Sequence, residues 1–234
     1  MDIVIIKLLL AHILGDFFLQ PDHWVAEKER LKLNSNKLYL HVSIHVALVF
    51  VLFWSFSVWL PALIIGISHF AIDACKLLFQ KTSNKRLWFF ADQLLHIAVI
   101  VACWLSFYDG ASININFFYN TKVWLYIFGA LLLTSPTAII IKVLIARFIP
   151  SKGSISLHNA GKFIGILERL LIYIFILTGH LEAVGFLLAA KSIFRFGDLK
   201  EGNDLKLTEY VLIGTLLSFG IAVAISLAVA HINI

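Results

Sequence analysis

Residues 88–108 read WFFADQLLHIAVIVACWLSFY. A stretch of about 20 apolar residues crosses the ~30 Å hydrocarbon core of a bilayer as a helix. Helix is the form such a run must take in lipid, because backbone N–H and C=O groups there find no water and have to bond within the segment. The run is not wholly apolar. Asp92 and His96 sit in its first half, four residues apart, so a helix places them on one face, one turn from each other.

Comparable runs lie near 2–20, 38–56, 58–79, 123–147, 162–179, 181–196 and 209–231. With 88–108 they predict an all-α, polytopic membrane bundle of about eight transmembrane helices. The run at 181–196 is the shortest. Turn signals fall between runs at Asn34-Ser35-Asn36, Thr82-Ser83-Asn84, Asp109-Gly110 and Gly202-Asn203, with Pro61 near a run end. The composition agrees: 60% of the 234 residues are hydrophobic, 14% are charged, and mean hydropathy is +0.91. A soluble domain is roughly 45–50% apolar and 25% charged. The chain divides naturally into a first membrane half, 1–108, and a second, 109–234, with no room for a sizeable soluble domain. Cys75 and Cys103 both lie in apolar runs and form neither a disulfide framework nor a metal-type pair. The first run lacks a basic leader and a small-residue cleavage site, so it reads as a span rather than a cleaved signal.

The net charge of +5 does not indicate nucleic acid, because the basic residues sit in short loops where topology accounts for them. Lys28, Arg30, Lys32 and Lys37 follow the first span; Lys81, Lys85 and Arg86 the third; Arg147, Lys152 and Lys162 flank the loop after the fifth; Arg195, Lys200 and Lys206 follow the seventh. The opposite side has only Lys122. The positive-inside rule then puts these loops in the cytoplasm and both termini in the periplasm. Trp24, Trp59, Trp88 and Trp124 sit at run ends and read as interfacial residues.

The pairing at Asp92 and His96 recurs. The first span has His12 and Asp16, the second His41 and His45, the third His69 and Asp73. With alternating spans, all four pairs fall about 5–10 Å inside the cytoplasmic end of their helices at about 1.5 Å per residue. An Asp at the centre of a membrane helix costs on the order of 2.5–3.5 kcal/mol, and ionisable residues held there face a bundle interior or mark a pathway or ligand site. Imidazole and carboxylate are ligands for zinc, manganese or iron. His12, Asp16, His41, His45, His69, Asp73, Asp92 and His96 are therefore candidate ligands of a divalent metal. Their number suits two metals, or one metal with partners that orient its ligands. A lone membrane His is more often a helix-to-helix hydrogen bond, but no packing requirement calls for four such pairs at one depth.

The second half adds Glu168 and Arg169 in the sixth span, and Lys191 and Arg195 near the end of the seventh. Arginine can clamp a phosphate or carboxylate through two parallel hydrogen bonds. These four are candidate residues for binding an anionic substrate. The competing reading pairs Glu168 with Lys191 or Arg195 and lets the cations snorkel to the interface. Lys76, three residues past Asp73, is placed to neutralise it.

Taken together, AHILGDFFLQ (11–20), the His41/His45 pair, HFAIDACK (69–76) and DQLLH (92–96) resemble bacterial membrane proteins grouped as domain-of-unknown-function family 3307. The resemblance covers about 5–105. LER (167–169), AAKSIFRF (189–196) and EYVLIGTLLS (209–218) look like the longer members. It implies a bacterial inner (cytoplasmic) membrane protein and supplies no activity.

The residues themselves point to a membrane-embedded, metal-dependent hydrolase of a lipid-linked or phosphorylated substrate at the cytoplasmic leaflet. The metal would polarise the substrate and acidify its water, and Asp16, Asp73 or Asp92 would accept the proton. Membrane lipids are the expected surroundings, and no nucleic-acid partner is expected. The same ligands could hold iron for oxygen chemistry. A proton- or divalent-cation-coupled transporter is the alternative, favoured by Thr134-Ser135-Pro136 as a possible broken helix. A non-catalytic subunit with a structural metal is a third class. The topology is directly testable: reporter fusions at residue 1 and residue 234 should both read periplasmic, and a cytoplasmic signal at residue 1 would undo the common depth of the four pairs.

Overall fold

The structure, a computed structural model, describes residues 3–108, 120–148, 160–199 and 205–232, apart from the side chains of 194–199 and 205–207. The turn signals at Asp109-Gly110 and Gly202-Asn203 lie outside these, as do Lys152 and Lys200 and the side chain of Lys206. Every described element is helical: α1 (Ile3–Phe17), α2 (Asp22–Leu31), α3 (Asn36–Phe53), α4 (Trp59–Phe79), α5 (Lys85–Tyr108), α6 (Thr121–Leu132), α7 (Ser135–Ile145), α8 (Ala160–Leu177), α9 (Leu181–Leu199) and α10 (Leu205–His231), with short 3₁₀ turns between some of them.

Five helical segments are long and apolar enough to cross a membrane: Asn36–Phe53, Phe56–Phe79, Thr82–Phe107, Thr121–Phe148 and Thr208–His231; α1 and α2 would make a sixth if taken together. The sequence-based figure of eight also counted α8 and α9. Both are long, but α8 carries Lys162, Glu168 and Arg169, and α9 carries Glu182, Lys191, Arg195 and Asp198. The first expected span, 2–20, differs too. The helix stops at Phe17 and the chain turns by 78° into α2, a polar helix where the sequence suggested a loop. Large apolar side chains such as Val51, Ile67 and Leu94 are exposed on outward faces, a surface that suits lipid rather than water.

The chain forms two compact units, Met1–Leu125 and Tyr126–Asn233. In the first, α1 packs on α3 and α5, and α4 packs on α3 and α5, closing a four-helix ring. One end of the ring is an apolar layer. It joins the start of α1 (Val4, Ile5, Leu8), the end of α3 (Val49, Phe53), the start of α4 (Ala62, Ile65) and the end of α5 (Ile100, Cys103). Lys7 is buried there too, with its ammonium 4.9 Å from the Trp124 ring centroid and 5.7 Å from that of Phe53, a cation–π placement in a buried site. Helix α3 begins where Ser35 Oγ accepts the Lys37 N–H at 3.2 Å and ends at Trp54, whose left-handed φ of 50° turns the chain out of the helix.

In the second unit α10 packs along α8, α7 against both, and α9 against α8. The span 121–148 is interrupted at Leu133 and Thr134. Pro136 has no N–H to give to the Leu132 carbonyl; the Thr137 hydroxyl donates to it instead, at 2.7 Å.

Gly66 lets α4 approach α3: a Cβ there would lie 2.6 Å from Val46 Cγ2. Gly66→Ala is expected to lower the thermal unfolding midpoint in detergent, at about 1–3 kcal/mol for overpacking. Val46→Ala in the same chain should restore most of it, and additive losses in the double variant would contradict this account.

Candidate metal centre

The end of the ring opposite the apolar layer is built from the end of α1, the start of α3, the end of α4 and the start of α5. Each contributes its i, i+4 pair, and all eight side chains meet there. His12, His41, His45, His69, Asp73, Asp92 and His96 are each at most 6% exposed. The four pairs thus lie in one layer of the folded ring.

Asp16 is the hub. Its Oδ1 lies 3.0 Å from His45 Nε2, 3.2 Å from His41 Nε2 and 3.5 Å from His69 Nε2. Its Oδ2 accepts from Gln93 Nε2 at 2.8 Å and lies 3.8 Å from His12 Nε2. Gln93 also meets His12 Nε2 through its carbonyl oxygen at 3.2 Å. His41 and His69 face each other Nε2 to Nε2 at 3.1 Å, so in neutral rings at least one of the two nitrogens presents a lone pair. The His69 ring stacks between those of His45 and His96, with centroids 3.9 Å away on each side. Gly15 makes room for this crowding, since a Cβ there would fall 2.3 Å from His45 Cε1.

Asp73 and Asp92 each hold a lysine. Lys28 Nζ is 2.8 Å from Asp73 Oδ2, and Lys76 Nζ is 2.8 Å from Asp92 Oδ2. Lys76 therefore pairs with Asp92, across to α5, rather than with Asp73 as its spacing suggested. His96 Nε2 lies between the two carboxylates, 3.7 Å from Asp73 Oδ1 and 3.5 Å from Asp92 Oδ1. His41 Nδ1, Asp92 Oδ1 and His96 Nε2 are buried without a hydrogen-bond partner among the described residues. Buried polar atoms left unpaired are costly, and unpaired ligand atoms in a His/Asp layer fit a cation. Three sets have ligand atoms within 4.8 Å of one another: His12, Asp16, His45 and His69; His41, His69 and Asp73; and Asp16, Asp92 and His96. Each could hold a metal ion, and ligands sharing one zinc lie roughly 3–3.5 Å apart. A cavity of about 10 Å³, room for one water, lies between the rings of His45, His69 and His96 and the aliphatic side chains of Leu8, Ile65 and Ile100.

Lys28 and Gln93 were not among the expected site residues. The Lys28 charge had been assigned to a cytoplasmic loop, but it is 5% exposed on α2. That helix lies across the polar end of the ring, fastened by Ser35 to Glu27 at 3.0 Å and by Gln80 and Lys85 to Glu29 at 3.2 and 2.6 Å. Burial alone would raise the Glu29 carboxyl, but the hydrogen bond and charge of Lys85 outweigh it and hold it below its usual value. Gln93 could have been found by counting amides along with acids and imidazoles in the 88–108 run.

The candidate substrate-binding residues lie in the second unit and are engaged with one another or with its backbone. Arg169, 3% exposed, donates from Nε to Leu133 O at 2.6 Å, from Nη2 to Thr134 O at 3.2 Å and from Nη1 to Ser218 Oγ at 3.0 Å. Lys191 pairs with Glu168, one of the two ion pairs considered from sequence. The side chain of Arg195 lies outside the described residues.

Described residues that are helical throughout their elements, apolar spans and a buried His/Asp layer that can hold a metal define the class. Residues 4–126, just over half of the chain, match the family described as protein of unknown function, DUF3307, and the chain belongs to that family. No curated protein and no solved structure matches it.

Gln93→Leu should weaken divalent metal binding about 10–100-fold, the usual cost of losing a group that orients ligands. Gly15→Ala should weaken it further by displacing the His45 ring. Metal titration of the purified variants measures both, and wild-type affinity in Gly15→Ala would show that His45 is not a ligand.

Proposed function

We propose that this protein is a multi-pass bacterial inner-membrane enzyme of about eight spans, with both termini periplasmic. In this reading it uses a divalent metal in its His/Asp layer to hydrolyse a lipid-linked or phosphorylated substrate at the cytoplasmic leaflet. The observation that carries it is the convergence of five imidazoles and three carboxylates in one buried layer, with Asp92 Oδ1 and His96 Nε2 lacking a hydrogen-bond partner among the described residues.

His12, Asp16, His45 and His69 would hold the metal. Bound there, a divalent ion such as zinc, manganese or iron acidifies a water and polarises the scissile group. Asp92 Oδ1, which has no hydrogen-bond partner among the described residues and lies 3.5 Å from His96 Nε2 while Oδ2 is held by Lys76, is the oxygen best placed to take the proton. Gln93 fixes Asp16. Lys76, whose side chain is 24% exposed, is the more open of the two cluster lysines and can meet an anionic headgroup. Arg169 holds a broken helix together and is a structural cation here, and Glu168 and Lys191 neutralise each other.

The alternative is a proton- or cation-coupled transporter, and the break at Thr134 favours it, since interrupted helices line many transport sites. Two features weigh against it. The Leu133 and Thr134 carbonyls freed by the break already accept from Arg169, and the layer next to the cluster is apolar apart from the Lys7 ammonium, which would repel a passing cation.

Purified wild-type protein should carry metal, and the His12→Ala, His45→Ala and His69→Ala variants should lose it together with phosphate release from phosphorylated lipid, while still inserting. Metal-free wild-type protein after loading would sink the proposal. Single cysteines at Leu48 and Ala98 should resist a periplasmic thiol reagent. Efficient labelling there would reveal a water path through the apolar half and make the protein a transporter.

A further inference from the structure

Lys28 is the residue whose position the proposed hydrolase does not use. It reaches the centre from α2, outside the four-helix ring, and its ammonium lies 2.8 Å from Asp73 Oδ2 with both side chains less than a tenth exposed. The same carboxylate oxygen is 4.0 Å from His41 Nε2. Asp73 and His41, with His69, form the second of the three sets of ligand atoms close enough to share a cation. The ammonium is thus bound to the carboxylate that a metal in this set would need.

Charge points the same way. Ligand imidazoles are neutral, so, leaving aside His96, which faces the Asp73 and Asp92 carboxylates and is not a ligand here, the fixed charges of the layer are the carboxylates of Asp16, Asp73 and Asp92 and the ammoniums of Lys28 and Lys76. They leave a single net negative charge. One divalent cation turns that into a single positive charge, which a bound hydroxide or one anionic oxygen of a substrate balances. A second divalent cation would share His69, which can bridge two metals only as an imidazolate after giving its N–H proton to water, and with both lysines in place it would still leave two positive charges in a buried layer, where like charges repel strongly.

We propose that the centre takes one divalent cation, at His12, Asp16, His45 and His69, and that the Lys28 ammonium holds the adjoining His41–His69–Asp73 position against a second. The inference rests on the metal reading above. Lys76 does not have this role, because it pairs with Asp92 from the rim of the ring on α4. Lys28 is carried by a helix joined to α1 through a 78° turn, so the number of metals bound depends on the seating of α2.

The test is a manganese(II) titration of the detergent-purified full chain, followed by electron paramagnetic resonance. Wild type should bind one equivalent and show the spectrum of an isolated ion. Lys28→Met, similar in length and uncharged, should bind two, and the neighbouring ions should show a spin-coupled spectrum. Lys28→Arg keeps the charge and should stay at one. Two equivalents in wild type, or one in an inserted and helical Lys28→Met, would overturn the proposal while leaving a metal enzyme standing. No bound manganese, zinc or iron in wild type would overturn both. Should Lys28→Met fail to insert, Lys28→Gln replaces it, and the wild-type count by itself remains able to refute the idea.

Discussion

One carboxylate, Asp16, organises the first unit. Imidazoles from α3 and α4 crowd its Oδ1, an imidazole from its own helix and an amide from α5 approach its Oδ2, and so it touches all four walls of the ring. A charge buried among apolar helices has to be surrounded in this way or be lost to protonation. Much else follows from that need. Gly15 precedes it because a side chain there would push His45 away, and Gln93 sits opposite because something must donate to the second oxygen. Asp73 and Asp92, further from the hub, draw their compensation from lysines instead. The layer is best described as one network, in which replacing any member changes the partners of several others.

The distribution of order in the ring matters for chemistry. The half beyond the imidazoles is aliphatic and closed, and the other half is polar and spanned by α2. A reaction in this layer therefore has a dry back wall and a helix across its front. Such a wall strengthens every electrostatic contact facing it and would keep bulk water from anything held in the layer. The aliphatic layer owes its make-up to the antiparallel ring, in which α1 and α4 contribute their first turns and α3 and α5 their last.

Much of this was legible in the sequence because two independent regularities coincided. The i, i+4 spacing fixed which face each pair occupies, and the alternation of spans fixed the depth, so His12, His41, His69 and His96 could be brought together on paper. What escaped was what neither regularity encodes. Lys28 lies in a polar stretch where a buried cation and a solvated one look alike, and only the 78° turn after Phe17 carries it over the cluster. Lys76 is on a face it could share with Asp73, but it reaches Asp92 because α5 packs beside α4. Thr134-Ser135-Pro136 marked a break without revealing that Arg169 would fill it. The span count suffered for a similar reason: Lys162, Glu168 and Arg169 give α8 a charge content that apolarity alone does not forgive, though Arg169 is buried.

Arg169 also bears on how the chain is made. Two of its acceptors, the carbonyls of Leu133 and Thr134, are synthesised before it, and the third, the Ser218 hydroxyl, almost fifty residues after it. In order of synthesis, the guanidinium thus follows two of its acceptors and precedes the third, which α10 brings. The interruption in the earlier helix therefore supplies its acceptors before the guanidinium is made, and the hydroxyl that completes the set comes last in the chain.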